Sequence, residues 1–299
     1  YTNIHSITIT VGDKEYTPNI NEEGKYKVNL TGIKHGEVKV GVTVEDKAGN
    51  ISRDSYVFSL DMTTPMGVTG KVDKSFLTED GVMYFKEKPT LSLEASDSGV
   101  GVGKYIFDTS ESTTGQFEVG DGNHLIKVVD KLGNTMDGIT LGSLLGVDGN
   151  RVVIDGSAPV IKEVSGYKAD YTDEGKDWYG SVPTLKYSVK DANLKSIKVS
   201  VNGKSYDQDI SDSDEYTVNL TGVADGKVTV VVNALDKSGN SSKDTYTFYL
   251  DRTTPKNLKG EIEESFNNLT NGVFFKKVPT LKLTAEDDGV GVSTFILND

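Results

Sequence analysis

The sequence copies itself at long range, and that periodicity limits what it can fold into. Tyr26–Gly32 (YKVNLTG) recurs 190 residues later as Tyr216–Gly222 (YTVNLTG). The same offset carries Lys47–Asn50 onto Lys237–Asn240, Asp61–Pro65 onto Asp251–Pro255, and Pro89-Thr90-Leu91 onto Pro279-Thr280-Leu281. A weaker offset of 94 halves the period. Asp61 and Pro65 return as Asp155 and Pro159, and Pro89 and Asp97 return as Pro183 and Asp191. Asp130–Asn134 matches Asp236–Asn240 across changes in loop length. The unit is therefore about 95 residues long and alternates between two subtypes. Such a chain is a row of similar modules, not one large core.

Residues 156–252 show one whole module. Pro159–Val164 reads as a first strand, followed by alternating Leu185, Tyr187 and Val189, then Ile197, Val199 and Val201. Asn202-Gly203 supplies a tight-turn dipeptide, because Gly accepts positive φ. Tyr216, Val218 and Leu220 alternate next, then Val228, Val230, Val232 and Ala234, and finally Tyr246, Phe248 and Leu250. This period of two puts one face of each strand on a core and the other in water. Abundant Gly (32 residues) and Tyr (14) suit the same reading. About 100 residues with seven short strands is the size of an immunoglobulin-like sandwich. The expected fold is all-β: tandem immunoglobulin-like antiparallel sandwiches in an elongated array. The expected boundaries are 1–62 (a partial domain lacking its first strands), 63–155, 156–252, and 253–299 (a partial domain lacking its last strands). The chain thus reads as an excerpt of a longer array, opening near one third strand and closing after another.

Composition removes several function classes. With no cysteine there is no disulfide, thiolate metal site or Cys nucleophile. A formal charge of -13 argues against nucleic acid, which needs a basic face, and suits hard cations with oxygen ligands. No apolar run approaches the roughly 20 residues needed to span a bilayer, so no membrane insertion is expected within this segment. The chain starts at Tyr1 without an apolar leader, which places any signal peptide or anchor outside it. His5, His35 and His124 lie far apart in the repeat, and the sister unit replaces the first two. No His–Asp–Ser or His–Cys arrangement emerges. Gly99-Val-Gly101 and Gly289-Val-Gly291 fit a loop better than a nucleotide fingerprint, since no helix follows. Catalytic acids are seldom copied at every domain pitch, so the chain reads as a non-enzyme.

Two recurring motifs carry a resemblance. D-K-[ASL]-G-N stands at Asp46–Asn50, Asp130–Asn134 and Asp236–Asn240, and D-x-[TS]-[TA]-P at Asp61–Pro65, Asp155–Pro159 and Asp251–Pro255. Both are similar to signatures of bacterial immunoglobulin-like repeat domains of large surface adhesins. That resemblance implies an extracellular stalk on a bacterial cell surface, often with calcium between its domains. Any host-cell, matrix or glycan ligand would be held by regions outside these residues. Two alternatives stay open: a phage tail fibre or other virion component, and an accessory module of a secreted glycan-degrading enzyme.

Topology makes the calcium expectation specific. In a seven-strand sandwich each linker Asp lies at the pole that carries two loops of the following domain: the one between its second and third strands (the BC loop) and the one between its last two strands (the FG turn). Asp61 should meet Asp97 and Asp130, and Asp155 should meet Asp191 and Asp236. Asp251 should meet Asp287. Three carboxylates with backbone carbonyls and water supply the six to eight oxygens that Ca²⁺ takes. The competing reading is that each Asp only caps the backbone N–H groups of its own turn. Elsewhere, Tyr84-Phe85, Trp178-Tyr179 and Phe274-Phe275 recur before the second strand and read as packing. Residues 137–149 are an insertion, with Leu141, Leu144 and Leu145 expected in an extra hairpin or an exposed patch.

Overall fold

A computed structural model describes residues 3–18, 25–164, 168–264, 267–269 and 272–297. Among them are twenty-eight strands and one short helix, and the class is all-β. The chain divides into two compact units, Tyr1–Ile154 and Asp155–Asp299.

In the second unit the alternating segments form two sheets. Val160–Val164, Lys186–Lys190 and Glu215–Thr217 make a three-stranded antiparallel sheet. The other sheet is six-stranded, in the order Tyr171–Asp173, Lys176–Tyr179, Ser241–Leu250, Gly226–Asp236, Leu194–Val201, Lys204–Gln208. Their inner faces enclose one core, in which Tyr187, Val199 and Val230 are fully buried and Phe248 is 2% exposed. The Asn202-Gly203 turn has φ of 47° and 84°, the doubly positive conformation of a tight hairpin. Trp178-Tyr179 pairs in parallel with Tyr249-Leu250, a pairing that the wholly antiparallel expectation did not contain. Both segments run toward the same pole, so they meet side by side. The aromatic pair is packing, with Trp178 against Tyr249 at 4.9 Å and Tyr179 edge-on to Phe248 at 5.7 Å.

One core residue carries a polar cost. The Tyr187 ring stacks on Tyr216 at 5.4 Å, but its buried hydroxyl has no hydrogen-bond partner among the described residues. Burial pushes this phenol far above its ordinary pKa. Tyr187→Phe keeps the ring and removes the unpaired group, so it is expected to stabilise the unit by about 1 kcal/mol. A lower urea midpoint for this variant would mean that the hydroxyl is satisfied.

The first unit holds a second sandwich at 66–154. Met66–Val72, Thr90–Ser96 and Gln116–Glu118 form one sheet; Ser110–Ser112, Val102–Phe107, Leu125–Asp130 and Thr135–Thr140 form another. A third contains Gly122–Asn123, Arg151–Ile154, Val82–Phe85 and Phe76–Glu79, with Arg151–Ile154 parallel to Val82–Phe85. Phe85, Leu91, Ile126, Val128 and Val152 are fully buried in the common core. The insertion departs from the expected hairpin and from the exposed patch. Leu141–Leu145 is a helical turn, capped reciprocally by Thr140 and Ser143 and ended by Gly146 at φ 73°. Leu141 is fully buried, and Leu144 and Leu145 pack on the same core. The helix interrupts the last strand, which runs unbroken as Ser241–Leu250 in the other unit.

The remaining segments are single sheets. Lys14–Tyr16, Ile4–Val11, Gly36–Asp46 and Ile51–Leu60 form a four-stranded antiparallel sheet. Its Tyr56 and Phe58 are 57% and 41% exposed, whereas their repeat-mates Tyr246 and Phe248 are 8% and 2%. In the second unit Lys256–Ile262 pairs with Leu281–Glu286, and Asn267–Leu269 with Gly272–Phe274. Residues 292–297 form no strand, although the repeat expects one there. In the sandwich at 66–154 the matching strand pairs with Leu125–Asp130, and the described residues hold no such partner for 292–297.

Candidate metal centre

The D-K-x-G-N motif folds into one turn three times. Asp46 Oδ1 accepts from the backbone N–H of Ala48 and of Asn50, both at 2.8 Å. Asp130 Oδ1 accepts likewise from Leu132 and Asn134, and Asp236 Oδ1 from Asn240 at 2.7 Å. The Asn amide donates to the second oxygen of the same Asp, at 2.8, 2.7 and 2.8 Å. Gly49, Gly133 and Gly239 all take positive φ, at 85°, 96° and 88°, as this reversal requires.

The same Asn amide also reaches the linker. Asn240 Nδ2 donates to the Asp155 carbonyl at 2.7 Å, and Asn134 Nδ2 to the Asp61 carbonyl at 3.4 Å. That contact ties the FG turn to the residue entering the domain. The last position of the motif was legible in sequence as a turn residue, but its reach to the linker was not.

The BC loop completes the site differently in the two subtypes. Asp97 Oδ2 accepts from Gly99 and Gly101, both at 2.9 Å, while its other oxygen is buried with no hydrogen-bond partner among the described residues. Asp61 Oδ2 accepts from Val100 at 2.7 Å, and Oδ1 from the Thr63 hydroxyl at 2.8 Å and its N–H at 3.1 Å. A Cβ on Gly99 would stand 1.9 Å from Asp61 Oδ2, so the loop admits this carboxylate only because position 99 is glycine. Asp251, Asp287, Val290 and Gly289 repeat the arrangement, with Val290 N–H at 2.8 Å from Asp251 Oδ2. Around Asp155 a side chain does this work: Asn193 Nδ2 donates to Asp155 Oδ2 at 2.7 Å, and Asn193 N–H to Asp191 Oδ1 at 2.7 Å.

The carboxylates converge as their place in the fold suggests. Oxygens of Asp61, Asp97 and Asp130 all lie within 4.8 Å of one another, and so do those of Asp155, Asp191 and Asp236. Asp251 and Asp287 belong to no group of three acids among the described residues. Electrostatics separates the two triads. The Val100 N–H, then Thr63, hold Asp61 below the usual carboxylate range. Burial opposes ionisation of Asp130, yet the Asn134 amide and the turn N–H groups keep it low as well. Asp191 goes the other way. Burial raises its pKa, Asp155 and Asp236 add like-charge repulsion, and the Asn193 N–H only partly offsets them.

Each triad has the oxygen chemistry for a hard divalent cation, and each Asp of the FG turns also caps its turn. The two readings of the sequence are therefore not exclusive. His35 was set aside in sequence because the sister repeat lacks it, yet its Nδ1 lies 3.2 Å from Asp61 Oδ1. His124 is buried, with Nδ1 2.8 Å from Asp108 Oδ2 and Nε2 3.0 Å from the Gly120 carbonyl. Neither contact has a signal in local sequence. Among the described residues no helix is long and apolar enough to cross a membrane.

The sequence matches no protein-family model and no curated protein. Similarity appears among solved structures. A tetra-tandem repeat in the extending region of a large adhesion protein is 16% identical, with a TM-score of 0.36 over 97% of this chain and 82% of that one. A Ca²⁺-stabilized adhesin that helps an Antarctic bacterium reach out and bind ice is 17% identical, with a TM-score of 0.29 over 87% and 68%. Fibronectin(III)-like modules of Clostridium thermocellum CbhA are 15% identical, with a TM-score of 0.30 over 61% and 94%.

Proposed function

We propose that the chain is a non-catalytic stalk segment of a bacterial cell-surface adhesin or extracellular fibre, projecting a binding tip that lies outside it. Its domains are 1–62, 63–155, 156–252 and 253–299. One observation carries this reading: the BC loop donates a hydrogen bond to the linker Asp each time a module begins, at Asp61, Asp155 and Asp251. A device repeated at every domain pitch serves the joint between modules, because a catalytic or ligand site needs only one copy.

Calcium is the cation for these joints. Carboxylate and carbonyl oxygens in flexible number suit Ca²⁺, whereas Mg²⁺ demands near-octahedral geometry and keeps its water. Asp61, Asp97 and Asp130 form one site, and Asp155, Asp191 and Asp236 a second. Asp251 and Asp287 contribute two acids of a third. Calorimetric titration of the calcium-stripped chain is expected to find at least two saturable Ca²⁺ sites that Mg²⁺ fills far more weakly. A chain that takes up no calcium would reduce the aspartates to turn caps and remove the joint reading.

A further inference from the structure

We infer that a pocket beside the Asn202-Gly203 turn is a binding site for a carboxylated saccharide of the uronic-acid type. The cavity is about 330 Å³ and lies between the Leu194–Val201/Lys204–Gln208 hairpin and the loop at 219–224. That volume falls within the range of small-ligand sites.

The pocket exists because the two copies of this region differ. Val223 and Ala224 stand where the first copy has the larger Ile33 and Lys34. In that copy Lys14 donates to the Gly32 carbonyl at 3.1 Å and places its ammonium over that glycine. Its counterpart Lys204 makes no such bond, and nothing lies within 4 Å of the Cβ direction at Gly222. The glycine is thus covered by a lysine ammonium in one copy and uncovered in the other.

Hydrogen bonding fixes the polarity of what it accepts. Asn202 Oδ1 is occupied by the Thr229 N–H at 2.8 Å, which leaves the Asn202 amide as a donor. Asn219 Oδ1 is occupied by the Thr221 N–H at 3.0 Å, which leaves a second amide as a donor. The Tyr206 hydroxyl accepts from the Asn219 N–H at 3.0 Å, so its own proton is available. Lys204 adds a cation, and no carboxylate lines the space. Asp225, next along the chain, is paired with Arg252 at 2.6 Å. In a chain of formal charge -13, this lining offers two amide donors, the hydroxyls of Tyr206 and Thr221, and one positive charge. It fits a ligand rich in acceptors and bearing a negative charge. Val201, Tyr206, Val223 and Ala224 also line the space and add apolar atoms that the C–H groups of a pyranose can meet and a bare anion does not need.

The test uses the full chain with chelator present, so that no bound calcium bridges the sugar. D-glucuronate, D-glucose and inorganic phosphate are titrated in parallel and followed by isothermal calorimetry and amide NMR shifts. Glucuronate should bind saturably, with a dissociation constant on the order of 1 mM, and shift the amides of Asn219 and Thr221. Lys204→Gln should weaken it at least tenfold. Ala224→Phe, which fills the space from an exposed position without adding charge, should abolish it. Both variants should melt at the parent temperature. Absence of saturable glucuronate binding overturns the assignment, as does unchanged affinity in Lys204→Gln. Equal affinity for glucose would show that the carboxylate is unread and overturn the assignment. Equal affinity for phosphate would show a general anion site and overturn the saccharide assignment.

Discussion

Phe248→Ala is expected to cost the second unit about 3–5 kcal/mol, from lost transfer energy plus the cavity left behind. Phe248 is 2% exposed between the two sheets and meets Tyr179 edge-on. The loss is readable without cutting the chain. Trp178 is the only tryptophan, and it packs against Tyr249 in the same sheet, so its fluorescence reports this sandwich alone. Phe58 occupies the same place in the repeat but is 41% exposed, on a sheet face that no second sheet covers among the described residues. Phe58→Ala should therefore cost less than Phe248→Ala, because at 41% exposure a smaller share of its apolar area leaves water and no enclosed cavity is left behind. Equal losses for the two variants, with amide hydrogen exchange in Gly36–Asp46 following the first unit, would mean that burial does not separate the copies as described.

That pair shows how far the repeat could be read. Alternation placed Tyr187, Val199, Val230 and Phe248 on one buried face, because a strand's side chains have a fixed period of two. Periodicity is silent about what lies on the other side. Tyr56 and Tyr246 sit in similar local sequence, and only the presence or absence of an opposing sheet makes one exposed and the other buried. The helix at Leu141–Leu145 was missed for a different reason. Its signals are a Thr and Ser cap and a terminal Gly, which are equally turn signals in a β-rich chain. The parallel pairing of Trp178-Tyr179 with Tyr249-Leu250 joins segments about 70 residues apart, beyond any local pattern.

The candidate site was legible in its acids and not in its amides. Repetition at domain pitch singled out Asp61, Asp97, Asp130, Asp155, Asp191 and Asp236, and sandwich topology brought the loops that carry them to one pole. What holds each acid is non-local: Asn193 spans 38 residues to Asp155, Asn240 spans 85, and the Val100 N–H spans 39 to Asp61. The sequence motif records one end of each bond. Charge balance was also hidden, since three acids look alike until their hydrogen-bond partners are counted.

That imbalance leads to the second large effect. Saturating calcium should raise the melting temperature of the second unit, read at Trp178, more than that of the first. At a free concentration 100 times its dissociation constant, an ion bound only by the folded form adds about 2.7 kcal/mol. For a domain of this size that corresponds to a rise on the order of 10 °C. The second unit should respond more because its triad is less neutralised. Asp61 is already served by Val100 and Thr63, whereas Asp191 is half-buried beside Asp155 and Asp236. The raised pKa of Asp191 means that the folded state binds its proton more tightly than the unfolded chain does. Without an ion, that carboxylate therefore costs stability at neutral pH, and the cost fades as pH falls through its folded pKa. Calcium takes the proton's place, so its stabilising effect should shrink over the same acidic window. Asp191→Asn removes the charge that both ligands seek. It should raise the calcium-free melting temperature of the second unit and blunt its response to calcium, while leaving the response of the first unit intact. If Asp191→Asn lowers the calcium-free melting temperature and the calcium response persists, the repulsion inferred among these three carboxylates is wrong.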